Sequence, residues 1–448
     1  MEVRSTKYWE VTISAIILAL VIFTSTQTAS GMVQKRQKIV LDLRGDGQNI
    51  SAKLLWVTTL PKEIISYVMV KNRLSTPVVV ASTKGRIYAI NATDGEIMWG
   101  ENITNENYSI QLSAGDIDGD GMKEILGAED TRTLYCIEST NGTILWSRDI
   151  GDIIHTGIRP VVLSDTDNDG EDEVIAPIEG GVVYILDGAN GTIVWDYLIY
   201  GYPSRLIAVD DLDYDGIKDI VIGRCSEYGT GYDFIYCIRA YGDVLWKRKT
   251  EWWMMFAPSI GAINQKTLCV LTFLPDGYFV CLNGTDGKEL WRSYRGLSAV
   301  ALCDINGDGR TEMIVQEATL EAVCKILCID IQNAELLWEK EITDASTALS
   351  VQGAPASIGD LDNDSRLEMI MGVDYGLICI DEDGSILWRY DIGRSIRPIL
   401  WDTDEDGYIE IVCVSGRNVF CIKPPNTGKR IYWQGSSGDT EFRRTRSQ

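Results

Sequence analysis

Residues 88–99 read YAINATDGEIMW, and close copies recur along the chain as YCIESTNGTILW (135–146), YILDGANGTIVW (184–195), VCLNGTDGKELW (280–291) and ICIDEDGSILW (378–388). Each copy is an alternating apolar run, a tight turn and a second run ending on tryptophan. Asn-Gly and Asp-Gly supply the positive φ angles that a two-strand hairpin turn requires. The tryptophans stand at 56, 99, 146, 195, 246, 291, 338, 388 and 433, between 43 and 51 residues apart. Upstream of each hairpin lie two more strand-like runs, such as 109–115 and 123–128 in the second repeat. Four short strands per roughly 45 residues is the signature of a propeller blade. The expected fold is therefore all-β: an eight-bladed β-propeller of four-stranded blades, with seven blades as the alternative. No stretch beyond the N-terminal segment keeps a helical period. Nine tryptophan strands bound eight repeats, so one terminal strand must close the ring. Trp56 (KLLWVTTL) and Trp433 (RIYWQG) are the two candidates, and the other then lies outside the regular set.

On this strand–Gly turn–Trp repeat the chain resembles the quinoprotein-like (PQQ-like) propellers over residues 60–435, and 433–446 look like that family's closing segment. The resemblance implies the fold more than a function. Quinone-dependent dehydrogenases of the family carry a vicinal Cys-Cys pair over the cofactor, and this sequence has none.

A second motif lies inside the same repeats. It reads DIDGDGMKE at 116–124 and returns at 165–173, 211–219, 304–312, 360–368 and 402–410. Positions 1, 3, 5 and 9 place oxygen donors at Asp116, Asp118, Asp120 and Glu124; at Asp165, Asp167, Asp169 and Glu173; and at Asp211, Asp213, Asp215 and Asp219. The later three sets are Asp304, Asn306, Asp308 and Glu312; Asp360, Asp362, Asp364 and Glu368; and Asp402, Asp404, Asp406 and Glu410. Alternate residues of a tight loop converge on one point, and Ca²⁺ takes six to eight oxygens at about 2.3–2.6 Å. Glycine at position 6 allows the sharp turn. An EF-hand is excluded, because its closing Glu is at position 12 and its flanks are helical. The spacing resembles the calcium loops of integrin-α-type FG-GAP repeats, which lie between the first two strands of a blade. Asp and Gly also make ordinary turns. The first and fifth repeats, however, turn at the equivalent place on Lys71, Asn72 and Arg73, and on Asn264 and Gln265. Turns without acids are thus possible, yet six repeats hold theirs, and up to six Ca²⁺ ions are expected. The loops at 360–368, with Ser365 in place of Gly, and at 304–312, with Asn306 in place of an acid, should be the weakest.

The formal net charge of −24 excludes a nucleic-acid or anionic-lipid surface as partner. Arg4 and Lys7 precede an apolar run at 11–24, followed by Ala29, Ser30 and Gly31. That order reads as an export signal or, if retained, a membrane anchor, and it is the only membrane contact expected. The resulting plan is a signal or anchor at 1–30, a linker at 31–53, the propeller at 54–435 and a tail at 436–448. The sequons at Asn49, Asn91, Asn102, Asn107, Asn141, Asn190, Asn283 and Asn363 then become glycan acceptors, Asn141 and Asn190 being also plain turn residues. There are 11 cysteines. Cys136, Cys237, Cys281, Cys328, Cys379 and Cys421 fill one strand slot that Ala89 and Ile185 fill elsewhere, so they are expected as small buried free thiols.

A ligand face is expected on the segments between blades, where Trp252, Trp253 and Phe256 offer apolar area and Arg159, Arg205 and Arg397 offer charge. Interblade packing and local ion pairs compete for the same residues. His155 is the only histidine, and no nucleophile elbow, P-loop or dinucleotide fingerprint is present. The expected protein is an exported or cell-surface, non-catalytic module that binds a protein or glycan. The alternative is an extracellular enzyme, either a quinone-dependent dehydrogenase or a calcium-dependent polysaccharide lyase or hydrolase.

Overall fold

The computed structural model describes residues 52–434, apart from 131, 151–160, 179–180, 200–201, 204–206, 226–232, 251–257, 265, 274–277, 294–297, 309, 319–323, 343–355, 363, 365, 374–375, 394–395 and 426–429. The described residues form strands and turns without a helix.

Eight antiparallel sheets follow one another along the chain. Blade 2 is typical: Ile110–Gly115, Glu124–Glu129, Thr133–Ile137 and Ile144–Asp149, each hydrogen-bonded to the one before. The other blades span 66–102, 162–198, 202–250, 259–293, 298–342, 357–391 and 396–423. The first strands of blades 1 and 2, 2 and 3, 4 and 5, and 7 and 8 pack against one another, which puts them on the axis side. Blade 4 breaks its first strand into Tyr202–Pro203 and Ala208–Asp210. Apolar side chains fill the clefts between neighbouring blades: Val78, Val80 and Ile87 of blade 1, for example, cluster with Ile110, Leu112 and Ile125 of blade 2. The core is thus divided among the blade joints, and each joint depends on both of its blades.

The eighth blade is completed by the other end of the chain. Lys53–Thr59 pairs with Asn418–Lys423 as its outermost strand, with Trp56 opposite Cys421. Ring closure leaves neither terminal blade with an open edge. The second candidate does something different, which corrects the reading of 433–446 as the closing segment. Arg430–Gln434 adds to the free, axis-side edge of Ser357–Asp360 in blade 7. It also touches the first strands of blades 6 and 8.

Tryptophan locks the blades together. The outer-strand indoles of Trp56, Trp99, Trp146, Trp195, Trp246 and Trp338 lie on the turn glycine of the next blade, and Trp291 docks on the Ala334 turn of blade 6. A Cβ on Gly95 would come within 2.8 Å of Trp56, one on Gly142 within 2.8 Å of Trp99, and one on Gly191 within 2.7 Å of Trp146. The indole N–H donates to a carbonyl of the same turn: Trp56 to Ala92 (2.8 Å), Trp146 to Gly188 (2.8 Å), Trp246 to Gly284 (2.6 Å). Glycine is demanded there twice over, by φ near +70° and by the indole. In the slot opposite the tryptophan sit Ala89, Cys136, Ile185, Cys237, Cys281, Cys328 and Cys379, each followed by a register shift. Nine cysteines are buried free thiols, as expected. Burial pushes the thiols of Cys136, Cys237 and Cys379 well above the ordinary value.

Candidate metal loops

All six acidic loops connect the first and second strands of their blade. In blade 2, position 1 follows Gly115, the last residue of one strand, and position 9, Glu124, begins the next. The loop forms locally because its carboxylates cap its own amides. Asp116 Oδ2 accepts from Gly121 N at 2.9 Å, Asp120 Oδ1 from Met122 N at 2.8 Å, and Glu124 Oε2 from Ile117 N at 3.4 Å. Blade 4 repeats this with Asp211 to Gly216 N (3.0 Å), Asp215 to Ile217 N (2.8 Å) and Asp219 to Leu212 N (3.0 Å). Position 6 is left-handed in four loops, at Gly121, Gly170, Gly216 and Gly407. Position 4 is left-handed as well, at Gly119, Asn168, Tyr214, Gly307 and Glu405, a requirement the sequence does not announce because four residue types fill it.

In blade 2 these bonds leave Asp116 Oδ1 and Glu124 Oε1 without a hydrogen-bond partner, and in four loops carboxylate oxygens lie close together. Oxygens of Asp116, Asp118 and Glu124 lie within 4.8 Å of one another, as do those of Asp165, Asp167 and Glu173, of Asp211, Asp213 and Asp219, and of Asp360, Asp362 and Glu368. The position-9 group is buried in every loop but that of blade 3, where Glu173 is half-buried. Asp219 and Glu368 are both 0% exposed, and Asp219 Oδ1 and Glu368 Oε1 have no hydrogen-bond partner. A buried carboxylate oxygen without a partner is costly, and a cation at the centre would satisfy it. Burial, reinforced by the neighbouring acids, pushes Glu124, Glu173, Asp219 and Glu312 up to about 7 and Glu368 to about 8. The donor set is all oxygen, half-buried and anionic, which fits a hard divalent cation of the Ca²⁺ kind.

The loops are also laced to one another. Asp172 N donates to Asp116 O at 2.8 Å between blades 3 and 2, and Lys218 N to Thr166 O at 3.0 Å between blades 4 and 3. Thr93 Oγ1 donates to Thr403 O at 2.8 Å, and Lys71 pairs with Glu405 at 2.8 Å, between blades 1 and 8. The acid-free turn of blade 1 sends Arg73 into the blade 2 loop, 2.7 Å from Asp118 and 3.6 Å from Glu124.

Of the other expected site residues, Arg397 lies in the strand Ile396–Trp401 of blade 8. Its φ is +41°, its carbonyl accepts the Tyr67 hydroxyl, and burial holds its guanidinium below the ordinary value. Arg159, Arg205, Trp252, Trp253 and Phe256 lie outside the described residues, as do His155, Asn363, Ser365, the export segment at 1–30 and the tail at 436–448.

The sheets, the tryptophan joints and the closed ring define a PQQ-like β-propeller. The chain belongs to the family described as outer membrane protein assembly factor BamB, whose pattern it matches over 50–214 and 226–440. Among solved structures it is similar to BamB from Moraxella catarrhalis, with a TM-score of 0.54, 13% identity, and 83% of this chain and 100% of that one covered. Quinohemoprotein alcohol dehydrogenase from Comamonas testosteroni gives a TM-score of 0.54 at 11% identity, covering 86% of this chain and 78% of that one. Saccharomyces cerevisiae Sqt1 gives 0.58 at 12% identity, covering 82% and 100%. At such identities the likeness is one of fold. Among curated proteins, rhamnogalacturonan exolyase YesX from Bacillus subtilis is 27% identical over 141 residues, a match that spans 23% of that enzyme's length and 22% of this chain.

Proposed function

We propose that this chain is an exported, calcium-stabilised propeller that acts at the cell surface as a non-catalytic binding or assembly scaffold. The observation that carries the calcium reading is the unpartnered, fully buried oxygen of Glu368, which lies beside the carboxylates of Asp360 and Asp362. Membership of a family described as an assembly factor supports a protein as partner. The basic-then-apolar N-terminal order supports export. Calcium here is structural: it would be held by positions 1, 3, 5 and 9 of each loop, neutralise carboxylates that otherwise repel, and fix the turn.

The test is thermal unfolding of the purified chain with EDTA, with Ca²⁺ and with Mg²⁺. A melting temperature that falls in EDTA and returns with Ca²⁺, but poorly with Mg²⁺, is expected, because Mg²⁺ resists dehydration and prefers octahedral sites. An unchanged melt in chelator would overturn the reading. Export is checked by the intact mass of protein recovered outside the cytoplasm, where cleavage near Ser30 is expected. The match to an exolyase supports a second reading, binding or cleavage of an acidic polysaccharide. Incubation with rhamnogalacturonan, watching for an unsaturated product, decides it.

A further inference from the structure

The six loops differ in the residue that faces position 9 across the sheet. That residue ends the third strand of the blade. Asp219 is the direct register partner of Arg239, and Glu312 of Asp330. In blades 2, 3, 7 and 8 the paired residues end one step short, and continuing the register places Glu138, Asp187, Asp381 and Lys423 opposite their position-9 groups. Blades 2, 3, 6 and 7 thus carry an additional acid beside the loop, whereas blades 4 and 8 carry a base.

The bases are engaged. Arg239 Nη2 pairs with Asp213, and its Nε lies 3.5 Å from Asp215. Lys423 Nζ lies 2.9 Å from Asp406 and 3.5 Å from Glu410, among the donors an ion would use. In blade 7 the acid instead extends the cluster: Asp381 shares a site with Glu368 and Glu382, their oxygens within 4.8 Å, while in blade 6 Asp330 lies 3.5 Å from the exposed Arg310. Blades 1 and 5, which lack a loop, hold Asn91 and Asn283 at this position. The order neutral, acid, acid, base over blades 1–4 therefore repeats over blades 5–8.

We infer that the propeller takes four divalent cations, in the loops of blades 2, 3, 6 and 7, and that Arg239 and Lys423 stand in for the metal in the opposed blades 4 and 8. The inference rests on the calcium reading and replaces six equal sites with two classes. Ligand charge count tunes Ca²⁺ affinity, and exchanging an acid for a base beside position 9 changes the local charge by two. Arg73 in blade 2 is a different kind of cation. It sits on an exposed turn of the neighbouring blade and also pairs with Glu138 through Nε at 3.1 Å, so an arriving ion can displace it onto that carboxylate.

The experiment counts Ca²⁺ bound to the full chain by native mass spectrometry after exchange into calcium buffer, with circular dichroism to confirm folding. Four ions are expected in the wild type, five in Lys423→Asp and three in Asp381→Lys. Arg239→Asp provides the same gain of one should Lys423→Asp fail to fold. Six ions in the wild type, or a count unchanged by the gain variants, overturns this inference while sparing the calcium reading. No bound ion overturns the calcium reading and this inference with it.

Discussion

At six blade joints a single hydrogen atom in place of a side chain lets an indole lie on the next turn. Gly191 shows two constraints at once: φ of +70° and Trp146 Cε3 2.7 Å from where a Cβ would stand. Gly416 shows one, φ of +58° with nothing within 4 Å. A left-handed alanine costs about 1–2 kcal/mol, and forcing a methyl into a packed contact adds about 1–3 kcal/mol. Gly416→Ala should therefore lose about 1 kcal/mol and Gly191→Ala about 3 kcal/mol, measured by denaturant unfolding in calcium. Equal losses would mean that the indole yields freely. Ala334 is the natural control. It holds φ of +60° in the blade 6 turn, where the other described turns have glycine. Ala334→Gly removes that strain and should raise stability by up to about 1 kcal/mol. The docking turns were legible because Asn-Gly and Asp-Gly announce their own conformation. The left-handed position 4 of the acidic loops was not, since Tyr214 and Glu405 give no such signal. The cross-strand partner of position 9 was equally hidden, because it lies 13 to 20 residues downstream of its carboxylate and only register brings the two together.

Among elements, the decisive one is the strand Lys53–Thr59. Its alternating exposure, with Leu54 and Trp56 turned inward, covers the outer edge of blade 8 and lets Trp56 dock on blade 1. Removing residues through Thr59 opens that edge and strips one blade joint, so the melting temperature should drop steeply and the protein should self-associate. Removing everything after 429 takes away a strand that no blade needs for its fourth place, and the melt should change far less. Scanning calorimetry and light scattering on the two truncations separate them; a larger effect from the C-terminal cut would reverse the assignment. The blade count was legible in the tryptophan spacing, but the choice between the two ends was not. Both KLLWVTTL and RIYWQG are short aromatic strands. What selects the first is its register against Asn418–Lys423, with Trp56 facing Cys421 as every other docking tryptophan faces its slot. A strand sequence does not reveal which edge it will meet.

For the whole molecule, the question is whether the metal loops act blade by blade or together. The chain carries −24 formal charges, and each acidic loop gathers three or four of its carboxylates within one turn. Without a cation this repulsion opposes the compact loop; with one, binding to the folded state alone adds about 2.7 kcal/mol per site at a hundredfold excess over Kd. The loops do not stand alone: Asp116 of blade 2 is bonded to Asp172 of blade 3, Thr166 of blade 3 to Lys218 of blade 4, and Thr403 of blade 8 to Thr93 of blade 1. The hydrophobic core is likewise shared between neighbouring blades rather than owned by any one. Loosening one loop therefore weakens two joints. Chelation should shift a single cooperative transition downward as a unit, and adding Ca²⁺ should move it back without splitting it. The same logic applies to Glu368→Ala, which removes the buried acid of blade 7. In calcium it should lower the one transition by a few degrees rather than create a second. A separate low-temperature transition, in EDTA or in that variant, would show that the blades melt independently and that the lacing between loops contributes little to the ring.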